Sequence, residues 1–186
     1  PLDFDFALAF DPRGRWLATS GRGSVSLWPL HRPHPFVLRG HQAAINSLAF
    51  TPDGTHLVSA SEDVTVRSWP LDGSSGERPR VLHNIEGVFA APRHLAVAPD
   101  GSFVVVGNPI SQVIVLPLDG GPPRHLSGFS DTISSLSVGP RSRLVAAGSG
   151  DYNRGEGVAR VWDLESGEVR VLDVGDGEAI HDLVFG

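Results

Sequence analysis

His41, Ser59 and Asp63 are the residues whose types could combine into chemistry, since an imidazole, a hydroxyl and a carboxylate are the parts of a nucleophilic triad. Ser59, however, lies in the stretch Leu57 to Ser61, which reads as a strand, and no nucleophile elbow lifts its oxygen out at a sharp turn. His31 and His34 stand three apart in a Pro-rich connection, but no carboxylate or third His completes a metal set. The run SGDYNRGEG at 149–157 is acidic and Gly-rich, yet it lacks the alternating carboxylates and closing Glu of an EF-hand loop. There is no Gly-rich phosphate loop followed by Lys, and the absence of Cys excludes thiolate catalysis and Cys-bound zinc. The sequence therefore predicts no catalytic residue, no metal site and no cofactor.

The elements that would carry these residues are short strands cut by Pro, Gly and Asp. In the stretch from His41 to Trp69, an apolar run from Ile45 to Phe50 leads into Pro52-Asp53-Gly54. Two more strands follow, at Leu57 to Ser61 and Val64 to Trp69, so the pattern predicts hairpins. The signature Leu48-Ala49-Phe50 recurs as Leu8-Ala9-Phe10, Leu95-Ala96-Val97, Leu136-Ser137-Val138 and Leu183-Val184-Phe185, at spacings of 40, 47, 41 and 47 residues. Turns keep the same register at Pro12-Arg13-Gly14, Pro99-Asp100-Gly101 and Pro140-Arg141-Ser142. The closing aromatic recurs as Trp28, Trp69 and Trp162, with Leu116 in its place in the third copy.

A Gly-His pair, a Pro-Asp-Gly turn and a strand ending in Trp, at this period, resemble the WD repeat. Only Trp162-Asp163 keeps the dipeptide that names the family, because Pro follows Trp28, Trp69 and Leu116. The resemblance implies an all-β fold, a WD-repeat β-propeller of four-stranded blades. The expected blades are 5–40, 44–84, 94–127 and 132–175, with the first strand of a next blade at 179–186. Four blades and one extra innermost strand do not close a ring, so the chain is expected to be part of a larger propeller of roughly seven blades. The resemblance also gives His41, Ser59, Asp63 and Trp69 the role of a buried, structural hydrogen-bonded network. The other copies lack it: Phe129 stands in place of His in the fourth, and the third, with Val106, Ile110 and Leu116, is expected to rest on packing alone.

Composition agrees with many strands and tight turns, with 22 Gly and 15 Pro among 186 residues. A formal charge of -6 argues against nucleic acid or an anionic membrane as partner. No run approaches the roughly 20 apolar residues that span a bilayer, and no leader is visible, so a cytoplasmic protein is expected. All 15 basic residues are Arg, a usage read as GC-rich coding and a bacterial source. The resemblance implies a non-catalytic interaction scaffold or sensing module within a larger signalling or regulatory protein. The alternative is the accessory propeller of a peptidase, kinase, NTPase or caspase-like protease whose catalytic domain lies outside this segment. The expected partner is a protein, or another segment of the parent chain that completes the ring. Insertions at 83–93 and 149–157 fall at one end of the blades, which makes Ile85, Phe89, Tyr152, Arg154 and Glu156 the expected partner-binding residues.

Overall fold

The computed structural model describes residues 7–30, 36–71, 79–87, 90–150, 157–172 and 180–185. Among them every regular element is a β-strand, and each strand pairs antiparallel with its sequence neighbour inside its sheet.

The first set comprises β1 (Leu8–Phe10), β2 (Trp16–Ser20), β3 (Arg22–Pro29) and the start of β4 (Phe36–Phe50). The second takes the end of β4 with β5 (His56–Ser61), β6 (Thr65–Pro70) and β7 (Arg80–Asn84). Strands β8 (His94–Val97), β9 (Phe103–Gly107), β10 (Val113–Pro117) and β11 (Arg124–Leu126) make the third. The fourth is β12 (Ile133–Val138), β13 (Leu144–Ser149), β14 (Val158–Asp163) and β15 (Val169–Leu172). Each set has the four-stranded antiparallel form of a propeller blade, and we number them as blades one to four.

One turn opens every blade. Backbone N–H groups of Gly14, Gly54, Gly101 and Ser142 donate to the carbonyls of Asp11, Thr51, Ala98 and Gly139 at 2.8 to 2.9 Å. All four turn residues have positive φ, so Ser142 takes a left-handed conformation that the other copies give to Gly.

Blades one and two are joined differently from the expected break near residue 40. Strand β4 is 15 residues long and runs unbroken through Gly40-His41, ending blade one and beginning blade two. The register shift between Arg22 and Ser24 absorbs the change of blade. Gly23 sits at that shift with φ of 73°, and a Cβ there would stand 2.7 Å from the His41 carbonyl oxygen.

The core is divided into three apolar clusters, one at each junction between successive blades. Ala18, Val25 and Leu27 of blade one pack against Leu48, Phe50, Leu57 and Trp69 of blade two. Val58 and Val66 then meet Val104, Val106, Ile114 and Leu116. Val105, Val113 and Val115 meet Ile133, Val145 and Trp162. Stacked sheets covered on both faces explain why strands β9 and β10 are apolar at successive positions instead of alternating.

Of the expected innermost strand at 179–186, residues 180–185 are described, and these belong to no sheet. Their side chains nevertheless take an innermost position. A Cβ added at Gly148 would meet Ile180 Cγ2 at 2.6 Å and Leu183 Cδ1 at 3.2 Å, and one at Gly107 would meet Ile133 and Leu136 at the same distances. The Ser134 hydroxyl donates to the Ile180 carbonyl, as Asn46 Nδ2 donates to the Pro92 carbonyl one junction earlier. A strand needs a second strand for its backbone groups, and among the described residues none lies beside this segment.

Candidate functional site: a buried polar network and two bare blade faces

His41 lies at the middle of β4, Ser59 on β5, Asp63 in the turn after it and Trp69 at the end of β6. Alternation along β5 and β6 and the return of β4 bring the four together. The His41 Nδ1 is 2.8 Å from Asp63 Oδ2, and its Nε2 is 2.7 Å from Ser59 Oγ. Trp69 Nε1 donates to the same Ser59 oxygen at 2.7 Å. The donor count fixes a direction: the Nδ1–H donates to the carboxylate, Nε2 accepts from the serine hydroxyl, and that oxygen accepts from indole.

Three partners were not visible as such in the sequence. The Thr65 hydroxyl donates to Asp63 Oδ1 at 2.6 Å, and the Gln42 N–H donates to Asp63 Oδ2 at 2.9 Å. Arg67 Nε donates to Thr65 Oγ1 at 3.1 Å. Thr65 and Arg67 stand two apart on β6, the spacing that puts strand residues on one face, which is the signal that could have found these two.

Electrostatics follow from these bonds. Burial alone would raise the Asp63 carboxyl, but the Thr65 hydroxyl, Gln42 N–H and His41 N–H hold it down at about 2. Burial lowers the His41 imidazole below its ordinary value, and it outweighs the pull of Asp63, so the ring is neutral near pH 7.

Serine, imidazole and carboxylate thus stand at the distances of a nucleophilic triad, yet the arrangement cannot work as one. Ser59 is 0% exposed and its oxygen is already taken by indole. Two clefts among the described residues are lined by other side chains. What the network does is tie β4, β5 and β6 together.

Blade three was expected to rely on packing alone, and it carries its own polar tie. Asn108 Nδ2 donates to Gln112 Oε1 at 2.7 Å and to the Ala90 carbonyl at 3.2 Å, while the Gln112 N–H donates to Asn108 Oδ1 at 2.9 Å. The buried Asn108 amide, satisfied in this way, holds the β9–β10 turn. In blade four, Phe129 packs edge-on to Trp162 at 5.6 Å, and the Arg160 guanidinium lies 5.6 Å from the Phe129 ring centre.

Of the expected partner residues, Ile85 is buried at 3% exposure within the second junction, and its N–H donates to the Val64 carbonyl. It is a core residue, because the chain after β7 turns inward at the end of blade two. Phe89, Tyr152, Arg154 and Glu156 lie outside the described residues.

A second feature is the pair of end faces. Leu8, Phe10 and Trp28 of blade one are exposed at 57%, 63% and 46%, where their counterparts Leu48, Phe50 and Trp69 of blade two are at 7%, 8% and 2%. The difference is that blade one covers blade two, and among the described residues none covers blade one. At the other end, Val161, Leu144 and Arg170 line a cleft of about 380 Å³ on blade four.

Four-stranded antiparallel blades stacked face to face define an all-β propeller-type protein. Comparison with known proteins agrees: the model of the WD domain, G-beta repeat, matches residues 6–29 and 33–69, which supports the WD-repeat family. Human Striatin-4 is 28% identical over 149 residues, 70% of this chain and 19% of its own length. The Target of rapamycin complex subunit wat1 of Schizosaccharomyces pombe is 31% identical over 103 residues, 55% of this chain and 32% of its own. Nuclear distribution protein PAC1-2 of Uncinocarpus reesii is 25% identical over 173 residues, 83% of this chain and 37% of its own. The chain therefore spans well under half the length of these relatives. All three are eukaryotic, so the bacterial source read from the Arg usage gains no support from them.

Proposed function

We propose that this chain is a non-catalytic protein-interaction scaffold of the cytoplasm, a set of WD-type blades within a larger ring. That ring is completed by another segment of the parent polypeptide or by another chain. The bare face of blade one carries this reading, because a contiguous apolar surface that its neighbour's counterpart buries is a surface built to be covered. A relative whose name makes it a subunit of a complex supports the same class of role. The buried Ser59 speaks for a structural rather than catalytic use of the one serine, histidine and carboxylate set.

A protein partner docks at the end that carries the 149–157 insertion, with Tyr152 and Arg154 as anchors. Tyr152→Ala with Arg154→Ala should weaken capture of that partner and leave the melting temperature unchanged. Normal capture by the double variant would remove this end from the partner surface.

A further inference from the structure

Between blades two and three, at the end where the opening turns lie, the structure holds a cleft of about 330 Å³. Asp53 lines it from blade two, and Asp100 and Asp119 line it from blade three. Among the described residues none of these carboxylates is in an ion pair. The Thr51 hydroxyl and the Thr55 N–H and hydroxyl hold Asp53 at about 2, and the Ser102 hydroxyl lowers Asp100 below the usual carboxylate range. Arg80 is engaged elsewhere, its Nη1 donating to the Leu118 carbonyl at 3.4 Å, and it does not line the cleft. The space therefore gathers negative charge that the described residues leave unpaired.

Its other polar groups also want donors. Ser68 lines the cleft at 7% exposure, and its hydroxyl has no hydrogen-bond partner among the described residues. Asp119 accepts the Gly121 N–H at Oδ1 and no bond from them at Oδ2. One junction earlier the chain fills the equivalent place itself. Arg15, the residue after the turn glycine of blade one, donates from Nε to Asp11 at 2.8 Å and from Nη2 across the junction to the Gly54 carbonyl at 2.5 Å. In blade two Thr55 takes the position of Arg15, and in blade three Gly101 takes that of Gly54. The Thr55 hydroxyl stops at Asp53, 2.7 Å away, so no guanidinium of this kind reaches the Gly101 carbonyl, which also lines the cleft.

We propose that this cleft receives an arginine side chain of a partner protein. Its guanidinium donates to the carboxylates of Asp53, Asp100 and Asp119, to the Gly101 carbonyl and to the Ser68 oxygen. Carboxylates, a carbonyl and an unbonded hydroxyl suit a cation that only donates, and a planar fork serves several of them at once where a lysine ammonium acts as a point charge. The volume lies near the lower end of the roughly 300 to 1,000 Å³ of ligand sites, which suits one long side chain. Free arginine is a poorer fit, because its α-carboxylate would meet the same aspartates. An arginine inside a polypeptide carries no such charge. The surface is distinct from that of Tyr152 and Arg154, since the turn between strands one and two of a blade and the connection between strands two and three leave it at opposite ends.

Titration of the protein with N-acetyl-arginine amide, followed through its backbone amide resonances, tests this. Saturable shifts should appear at Thr55, Ser68, Gly101 and Gly121, and N-acetyl-lysine amide should need about tenfold more to produce them. Free arginine should bind more weakly than the amide, and equal or tighter binding of the free amino acid overturns the assignment to a protein side chain. Asp53→Asn should weaken binding by about tenfold. Ser68→Ala should weaken it severalfold and leave the melting temperature unchanged, because the hydroxyl bonds nothing in the free protein. Thr55→Arg should abolish binding by setting the chain's own guanidinium on the Gly101 carbonyl, as Arg15 is set on Gly54. No saturable shift at the cleft, or an equal response to the lysine probe, overturns the proposal from the unaltered protein alone. Binding indifferent to both Asp53→Asn and Thr55→Arg overturns it as well. None of these failures touches partner capture through Tyr152 and Arg154, which tests the scaffold reading separately.

Discussion

His41 is held at both ring nitrogens, so removing it strands Ser59 and Asp63 in a buried setting. His41→Ala should cost about 1 to 3 kcal/mol of stability, and Ser59→Ala a similar amount, with the double variant less than additive. Additive losses in chemical denaturation would show that the chain of bonds does not act as a unit. The counterpart in blade one gives an internal control: Trp28 Nε1 donates to Thr19 Oγ1 at 3.1 Å, but on the bare face, so Thr19→Ala should cost much less. Val64 is under strain, since φ of 59° presses a β-branched side chain against its own backbone. Val64→Asn should raise stability by about 1 kcal/mol, read as a higher denaturation midpoint, because Asn adopts this conformation more readily. An unchanged or lower midpoint would mean that the valine methyls contribute more by packing than they lose by strain.

Between elements, contact at the innermost strands depends on small residues. Ile133 of β12 seats on Gly107 of β9, and a Cβ at that glycine would come within 2.6 Å of Ile133 Cγ2 and 3.1 Å of its Cβ. The nearest atoms belong to a branched carbon fixed to its own strand, so the two blades must part to admit a methyl group. Gly107→Ala should therefore destabilise by about 1 to 3 kcal/mol, and the loss should appear in hydrogen exchange of β9 and β12 before that of β2 and β3. Uniform exchange across all strands would argue against a local seat at this junction.

For the whole molecule, acidification should act in two stages. His41, His83 and His94 are all lowered from 6.5 by burial. Below that pH the unfolded chain takes up protons that the folded chain refuses, so stability falls as pH drops from about 7. Asp53 and Asp63 are held at about 2, Asp53 chiefly by the Thr51 hydroxyl, against 3.8. Their contribution is present above the unfolded value and is lost as pH falls from about 4 towards 2. Melting temperatures measured from pH 8 to pH 2 should show both declines, and the upper one should shrink in His41→Asn. A flat upper range would remove the histidines from the account.

Much of this plan was legible in the chain itself, because a Leu-x-Phe or Leu-x-Val signature and a Pro-x-Gly or Pro-x-Ser turn mark each blade by local chemistry that needs no distant partner. The polar network was legible only through likeness to the WD repeat, since nothing within β4 announces which strand will face His41. The Asn108–Gln112 tie had no such template, and its amides bond across a local turn that reads as ordinary loop. Ile85 shows the opposite failure: an apolar residue in an insertion suits an exposed anchor or a core position equally well, and burial is decided by blades far away in sequence. Unbroken β4 was hidden too, because Gly40-His41 carries the residues of a turn while its neighbours in space hold it extended.

That strand has a mechanical meaning. With 15 residues shared between blades one and two, no slack separates them, whereas among the described residues no strand is shared between blades two and three or between three and four. Tension applied along β4 would load two blades at once, shearing two ladders in a single event. Stretched from its ends, the chain should give one large rupture for the first pair and smaller, separate ones for the blades that follow.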